Sequence, residues 1–439
     1  MAIGYSCPVA CRRRNCLRLP SRQRYRSRQP QAQSLGENTL TAQPKPPSSF
    51  LNVRFLGFEA ALALMMTFRC GASDFVHPGI LVDRQSIIDT QTLLKRNDLV
   101  RTQAIEVMKK SPLARLTYKS QPHAQVLCGP YSRPDIGCSD EVRDAQAAYT
   151  HALLGAYLSD SRHFMVSAEI MDSWSETLTG GHLGTNRSLQ ASWAAELWTR
   201  SAEILRYTSR AWPEDKAKLF GEWLLEQYLG DIDAMPECVN GNWYASGIEA
   251  RMNIGVYTNR RDVYNSAVMD WKSQFPAYVY MKSDGAKPKP QPNCNKPSPS
   301  NWFNQKQMAS GLAQETCRDL PHTAFGLAAF INAAETNRIQ GGTLYQDYAD
   351  RLQQAMEFQT SVALAPTPPK WLCSGQLKGS LAGTLEIGYA QLHGRMKRPM
   401  TNTGKWLSLN RPSRGQLHFI WETATHGMEI TGAAVTSTP

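Results

Sequence analysis

The chain has 439 residues, 42% of them hydrophobic and 19% charged, which excludes global disorder and leaves enough apolar material for one large core. Its formal net charge of +11 invites a nucleic-acid reading, which the distribution of charge removes. Residues 1–54 hold ten Lys/Arg against the single acid Glu37, or +9, and the rest of the chain holds 38 basic and 36 acidic side chains, or +2.

Residues 1–54 are rich in Arg, Ser, Gln and Pro without helical or strand period, and are expected to be disordered. Residues 55–73 read differently. Phe55 to Phe68 is an apolar run broken only by Glu59, led by Arg54 and closed by Cys70-Gly71-Ala72-Ser73. At 14 residues it is too short to span a bilayer, so no stable membrane anchoring is expected. It has the order of a secretory signal, although it sits far from Met1; a true start downstream of Met1 would account for that. Cys128, Cys138, Cys238, Cys294, Cys317 and Cys373 follow it, an even six without a CxxC pair. That disfavours a metal site and allows three disulfides, with Cys128–Cys138 the first expected pair. Asn186-Arg187-Ser188 is a glycosylation sequon. A secreted, extracellular protein is the expectation.

From residue 76 to 429 the pattern is helix after helix, with 430–439 a tail. Ser139-Asp140-Glu141 opens a helix whose Ala145, Ala148, Tyr149, Ala152, Leu153 and Ala156 recur at helical spacing. Amphipathic runs predict further helices near 84–110, 161–178, 187–209, 213–229, 243–257, 261–274, 321–338, 344–359 and 413–424. No stretch alternates with period two for long enough to make a sheet. The turn Tyr157–Arg162 and the turn Val256–Arg261, 99 residues on, look like copies of one helical hairpin, and Glu335–Phe358 repeats the plan. The fold class expected is all-α, a toroid or incomplete (α/α) barrel of antiparallel hairpins with a groove at one end. Residues 283–300, rich in Pro and Lys, read as a solvated connector or a basic lid.

Four islands depart from ordinary helix surface: Cys128–Cys138 with Tyr131 and Arg133, Asn240-Gly241-Asn242-Trp243, Glu315–Thr323 with Arg318, Asp319 and His322, and Glu386–Tyr389 followed by His393. Their order, with Trp421-Glu422-Thr423 behind them, resembles the alginate lyase domain family of polysaccharide lyases. The likeness runs from His77-Pro78-Gly79 to His426. It implies an (α/α) toroid that cleaves an acidic uronate polymer, of alginate or glucuronan type, by β-elimination without a cofactor and as a monomer. In such a reaction a donor neutralises the C6 carboxylate, a base takes the C5 proton, and an acid protonates the departing C4 oxygen. Carried onto this chain, the resemblance makes Asn242 the neutraliser, His322 a neutraliser or base, Arg318 a carboxylate binder and Tyr389 the proton donor. Asn240, Tyr131, Arg133, Trp243 and His393 are the expected substrate contacts, with His393 orienting Tyr389. The sequence departs from the best-known members at Gly241-Asn242, where they have Asn-His, and at Phe325, where they have Tyr. Two rivals stand beside this reading. A toroidal glycoside hydrolase would draw two carboxylates from Asp135, Glu141, Asp144, Glu315 and Asp319. A carbohydrate-binding toroid would lack the proton-transfer group.

Overall fold

The computed structural model describes residues 74–292, 294, 302–413 and 415–430. The Arg-rich stretch 1–54, the signal-like run 55–73 and the tail beyond 430 lie outside the described residues. Fifteen helices follow one another among the described residues: α1 (Arg84–Lys95), α2 (Leu99–Lys109), α3 (Cys138–Leu158), α4 (Ser161–Thr177), α5 (Arg187–Thr208), α6 (Glu214–Leu224), α7 (Gly230–Asp233), α8 (Gly241–Tyr257), α9 (Arg261–Tyr278), α10 (Leu320–Ile339), α11 (Leu344–Asp347), α12 (Ala349–Leu364), α13 (Glu386–Tyr389), α14 (Thr401–Asn410) and α15 (Glu422–His426).

Burial sorts them into two layers. In α8 every residue except Trp243 and Arg251 is buried, because Ala, Ser and Gly between its larger side chains let neighbours approach on all sides. Helices α3, α5 and α10 are buried in the same way, whereas α4, α6, α9 and α12 bury one face. The inner helices pack in the order α3, α5, α8, α10, α13, and α15, α2 and α1 carry the ring from α13 back to α3. The protein is an all-α toroid of helical hairpins, as the periodicity predicts. The two hairpin turns read as copies share one device: Ser159 and Asn259 both adopt left-handed backbone, at φ 55° and 56°. Trp174, Trp198 and Trp223 lie in the core.

Several details differ from the sequence reading, among them the run 344–359, which is broken at Tyr348 between α11 and α12. The run 84–110 is two helices, broken at Asn97 (φ 56°), after which Asp98 caps α2 by accepting from the Arg101 N–H at 2.8 Å. The segment 413–424 is mostly irregular, with a single turn at Leu417–Phe419 before α15; Leu417 and Trp421 have positive φ, which no helix interior tolerates. Two small sheets also form. Strand β1 (Gly79–Ile80) pairs with β2 (Val82–Asp83), and β3 (Val126–Cys128) pairs antiparallel with β4 (Asp135–Ile136) and parallel with β5 (His182–Leu183). Strands this short leave no legible alternation.

All six downstream cysteines are paired, as Cys128–Cys138, Cys238–Cys294 and Cys317–Cys373. No helix among the described residues is long and apolar enough to cross a membrane.

Candidate active site

Two helix starts build the site. Asp319 precedes α10 with extended backbone, and its Oδ1 accepts from the His322 N–H at 2.8 Å, closing the first turn behind Pro321. The same carboxylate lies 2.7 Å from His322 Nδ1. One side chain thus caps the helix and fixes the imidazole. With Nδ1–H donating to Asp319, Nε2 carries the lone pair, and it has no partner among the described residues.

Beside it, α8 begins at Gly241. Asn242 donates from its backbone N–H to Glu315 Oε2 at 3.0 Å and from Nδ2 to Glu315 Oε1 and Oε2 at 2.7 and 2.8 Å. Arg318 Nη1 donates to Glu315 Oε1 at 2.7 Å. Glu315 is fully buried; burial pushes its carboxyl above the ordinary value, and the donors from Asn242 and Arg318 pull it back. This carboxylate binds the start of α8 to the loop before α10. Gly241 is required for the same contact. A Cβ there would lie 2.2 Å from the Tyr278 ring, and a Cβ on Gly326 would lie 2.3 Å from the Tyr278 hydroxyl, so the two helix starts close on one tyrosine.

These residues open into a cleft of about 300 Å³ at the N-terminal ends of α5, α8 and α10. Trp193 and Phe325 form one wall, with ring centroids 5.9 Å apart, and Phe325 rests in turn on His418 and Phe419. Asn242, Trp243, Arg318 and His322 form the other. Tyr131 stands at the rim, 85% exposed, with left-handed backbone (φ 52°) inside the loop closed by Cys128–Cys138. None of the described residues lining the cleft is acidic.

The cleft therefore gathers five of the expected residues: Asn242, His322, Arg318, Trp243 and Tyr131. It does not gather the rest. Tyr389 is 2% exposed on α13, its ring stacked on His393 with centroids 4.8 Å apart and packed against Gly404 of α14. His393 Nδ1 lies 2.9 Å from the Arg398 carbonyl. The two form a packing pair within the wall of the ring, and burial raises the Tyr389 phenol further from a useful acidity. Arg133 is exposed and outside the cleft lining. Asn240 stands before α8 without a side-chain cap, offering only its carbonyl to the Trp243 N–H. Of the connector 283–300, Lys289 and Pro292 line cavities other than this cleft.

Trp193, Asn186 and Leu189 line the cleft without a sequence signal that marks them, and Glu315 and Asp319 support its polar residues. The i, i+3 spacings Glu315–Arg318 and Asp319–His322 were the available signal. Asn186, read as a sugar acceptor, lies at the cleft, where a glycan would obstruct it.

Glu249 on α8 is at the buried centre of the ring. It pairs with Arg200, and His418 Nδ1 lies 3.0 Å from its Oε2 and 2.6 Å from Glu196 Oε2. Glu196, Glu249 and His418 are the only cluster of three such donors among the described residues. Arg200 and His418 already supply two cations to the two carboxylates, so the set fits an ion network rather than a metal site. Arg251, on the same helix, pairs with Asp270.

No protein-family model matches the sequence, and no curated protein matches it. Solved structures do. The apo form of an alginate lyase A1-III variant superposes with a TM-score of 0.57 at 12% identity, over 81% of this chain and 96% of that one. Alginate lyase A1-III from Sphingomonas species A1 superposes at 0.55 and 12%, over 76% and 92%. Another variant of that lyase, complexed with a tetrasaccharide, gives 0.55 and 13%, over 81% and 96%. At such identities the likeness is one of fold: the chain is an alginate lyase-like toroid.

Proposed function

We propose that the protein is a secreted polysaccharide lyase that cleaves an acidic uronate polymer by β-elimination. The observation that carries this reading is a cleft holding an oriented imidazole and a guanidinium, with no acidic side chain on its walls. The polymer's C6 carboxylate docks on the Arg318 N–H groups that Glu315 leaves free. An amide nitrogen carries two hydrogens; one from Asn242 is held by Glu315, and the other reaches the same substrate carboxylate. Neutralised in this way, the carboxylate stabilises the enolate-like transition state. His322 Nε2 takes the C5 proton, and Asp319 stabilises the imidazolium that results. The C4–O bond breaks as the 4,5-double bond forms, and the imidazolium returns its proton to the departing oxygen. Trp193 and Trp243 offer flat apolar faces for the neighbouring sugars.

The hydrolase alternative finds no pair of carboxylates on the cleft walls. Glu141 is buried against His182, Gln190 and Tyr228, and Asp144 against Tyr118 and Trp174. Three disulfides suit an oxidising compartment and support secretion. The test is incubation with polymannuronate, polyguluronate and glucuronan. Growth of the ultraviolet band of the unsaturated product supports the lyase. New reducing ends without that band make the protein a hydrolase, and retained binding with neither makes it a binding module.

A further inference from the structure

The far end of α10 holds a second cavity, of about 250 Å³, whose lining includes Arg101, Arg338, Arg395, Glu335 and His426. Glu335 lies 13 residues after His322, which at 1.5 Å per residue places this cavity about 20 Å along the helix from the cleft. Three guanidinium groups meet here, with Glu335 and Asp89 in the lining and Asp83 Oδ2 4.0 Å from Arg338 Nη2. Glu335 is fully buried, and its Oε1 accepts from Arg338 Nε and Nη2 at 3.0 and 2.8 Å and from Arg395 Nη1 at 3.5 Å. His426 Nε2 lies 3.5 Å from the same oxygen. Asp89 also lines the cavity and accepts from Gln85.

Arg101 is the odd member. It is 9% exposed, and its Nη1 donates to the main-chain carbonyls of Ala424 and Thr423 at 2.6 and 3.4 Å. Its Nε is buried without a partner, and no carboxylate among the described residues lies within ion-pair distance of it. Carbonyl groups satisfy hydrogens but do not cancel a charge, and the acids that act on this guanidinium, Glu386 and Asp98, do so from beyond ion-pair distance.

We propose that this cavity binds a small oxyanion, a carboxylate, phosphate or sulfate that presents two or more acceptor oxygens to Arg101, Arg338 and Arg395. Guanidinium forks match such oxygens in pairs, and the cavity has room for a single sugar acid. The inference is independent of the elimination proposed for the cleft. Calorimetric titration of the full chain with glucuronate, inorganic phosphate and sulfate, at ionic strength balanced with chloride, tests it. Arg395 is half exposed, so Arg395→Gln should keep the fold, which circular dichroism checks. Saturable binding that Arg318→Gln leaves intact and Arg395→Gln weakens tenfold or more supports the site. A preference for glucuronate names a sugar acid as ligand, and a preference for phosphate or sulfate names an inorganic anion. The proposal fails if none of the three anions gives saturable heat beyond chloride, or if Arg395→Gln binds as tightly as the parent.

Discussion

His322 and Asp319 share a bond that sets both a helix start and a tautomer, so the two residues can be separated experimentally. His322→Ala removes the proposed base, and turnover on the responsive polymer should fall by a factor on the order of 10² to 10⁴ with the far-ultraviolet circular dichroism unchanged. Asp319→Asn keeps the cap but no longer stabilises the imidazolium. It should lower kcat with little change in KM and shift the pH–rate profile; an unaltered profile would confine Asp319 to capping. At this scale the sequence exposed the polar residues that stand in unusual company, such as Asn242, Arg318 and His322. It hid Glu315's role, because nothing local announces a partner 73 residues away. Tyr389 misled for a related reason. Its four-residue spacing to His393 does place both rings on one face, and that face points into the wall of the ring. For Asn186, peptide mapping of the protein made in a glycosylating host should find the side chain unmodified if the cleft is in use.

Among the elements, the start of α8 depends on the room that Gly241 leaves. Gly241→Ala would drive a methyl group into the Tyr278 ring and displace Asn242, at a cost of about 1–3 kcal/mol, read as a lower melting temperature with activity lost alongside. Helices α3, α5, α8 and α10 were legible because long apolar periodicity survives any tertiary arrangement. The stretch 413–424 was not. Its Leu417, Phe419, Ile420 and Trp421 carry enough apolar weight to imitate a helix, but they serve to seat His418 in the centre of the ring. There Ser246 Oγ lies 3.1 Å from Nε2, and Asn332 Nδ2 donates to the His418 carbonyl at 3.1 Å. Only the closed ring creates that destination.

The whole molecule carries two buried imidazoles between acids, and these make its stability depend on pH. Burial alone would lower His418, but Glu196 and Glu249 outweigh it and raise its pKa to about 9. His182 rises to about 9 in the same way, between Glu141 and Asp231. A proton held more tightly in the folded than in the unfolded chain stabilises fully below the unfolded value near 6.5 and is lost as pH passes through 9. The melting temperature should therefore fall between pH 7 and 9.5, with a shallower fall in His418→Gln; a flat profile in the parent chain would mean that both imidazoles are neutral when folded. The covalent links are distributed unevenly over this same molecule. Cys128 and Cys138 bracket Tyr131, Cys238 stands just before Asn240, and Cys317 adjoins Arg318, so every staple has an end near the mouth, and only Cys138, at the start of α3, belongs to a ring helix. A chain produced in a thiol-rich cytosol is then expected to assemble its hoop of helices around slack lips, keeping its far-ultraviolet circular dichroism while losing the proposed activity. Heterologous production for any assay accordingly calls for export into an oxidising space.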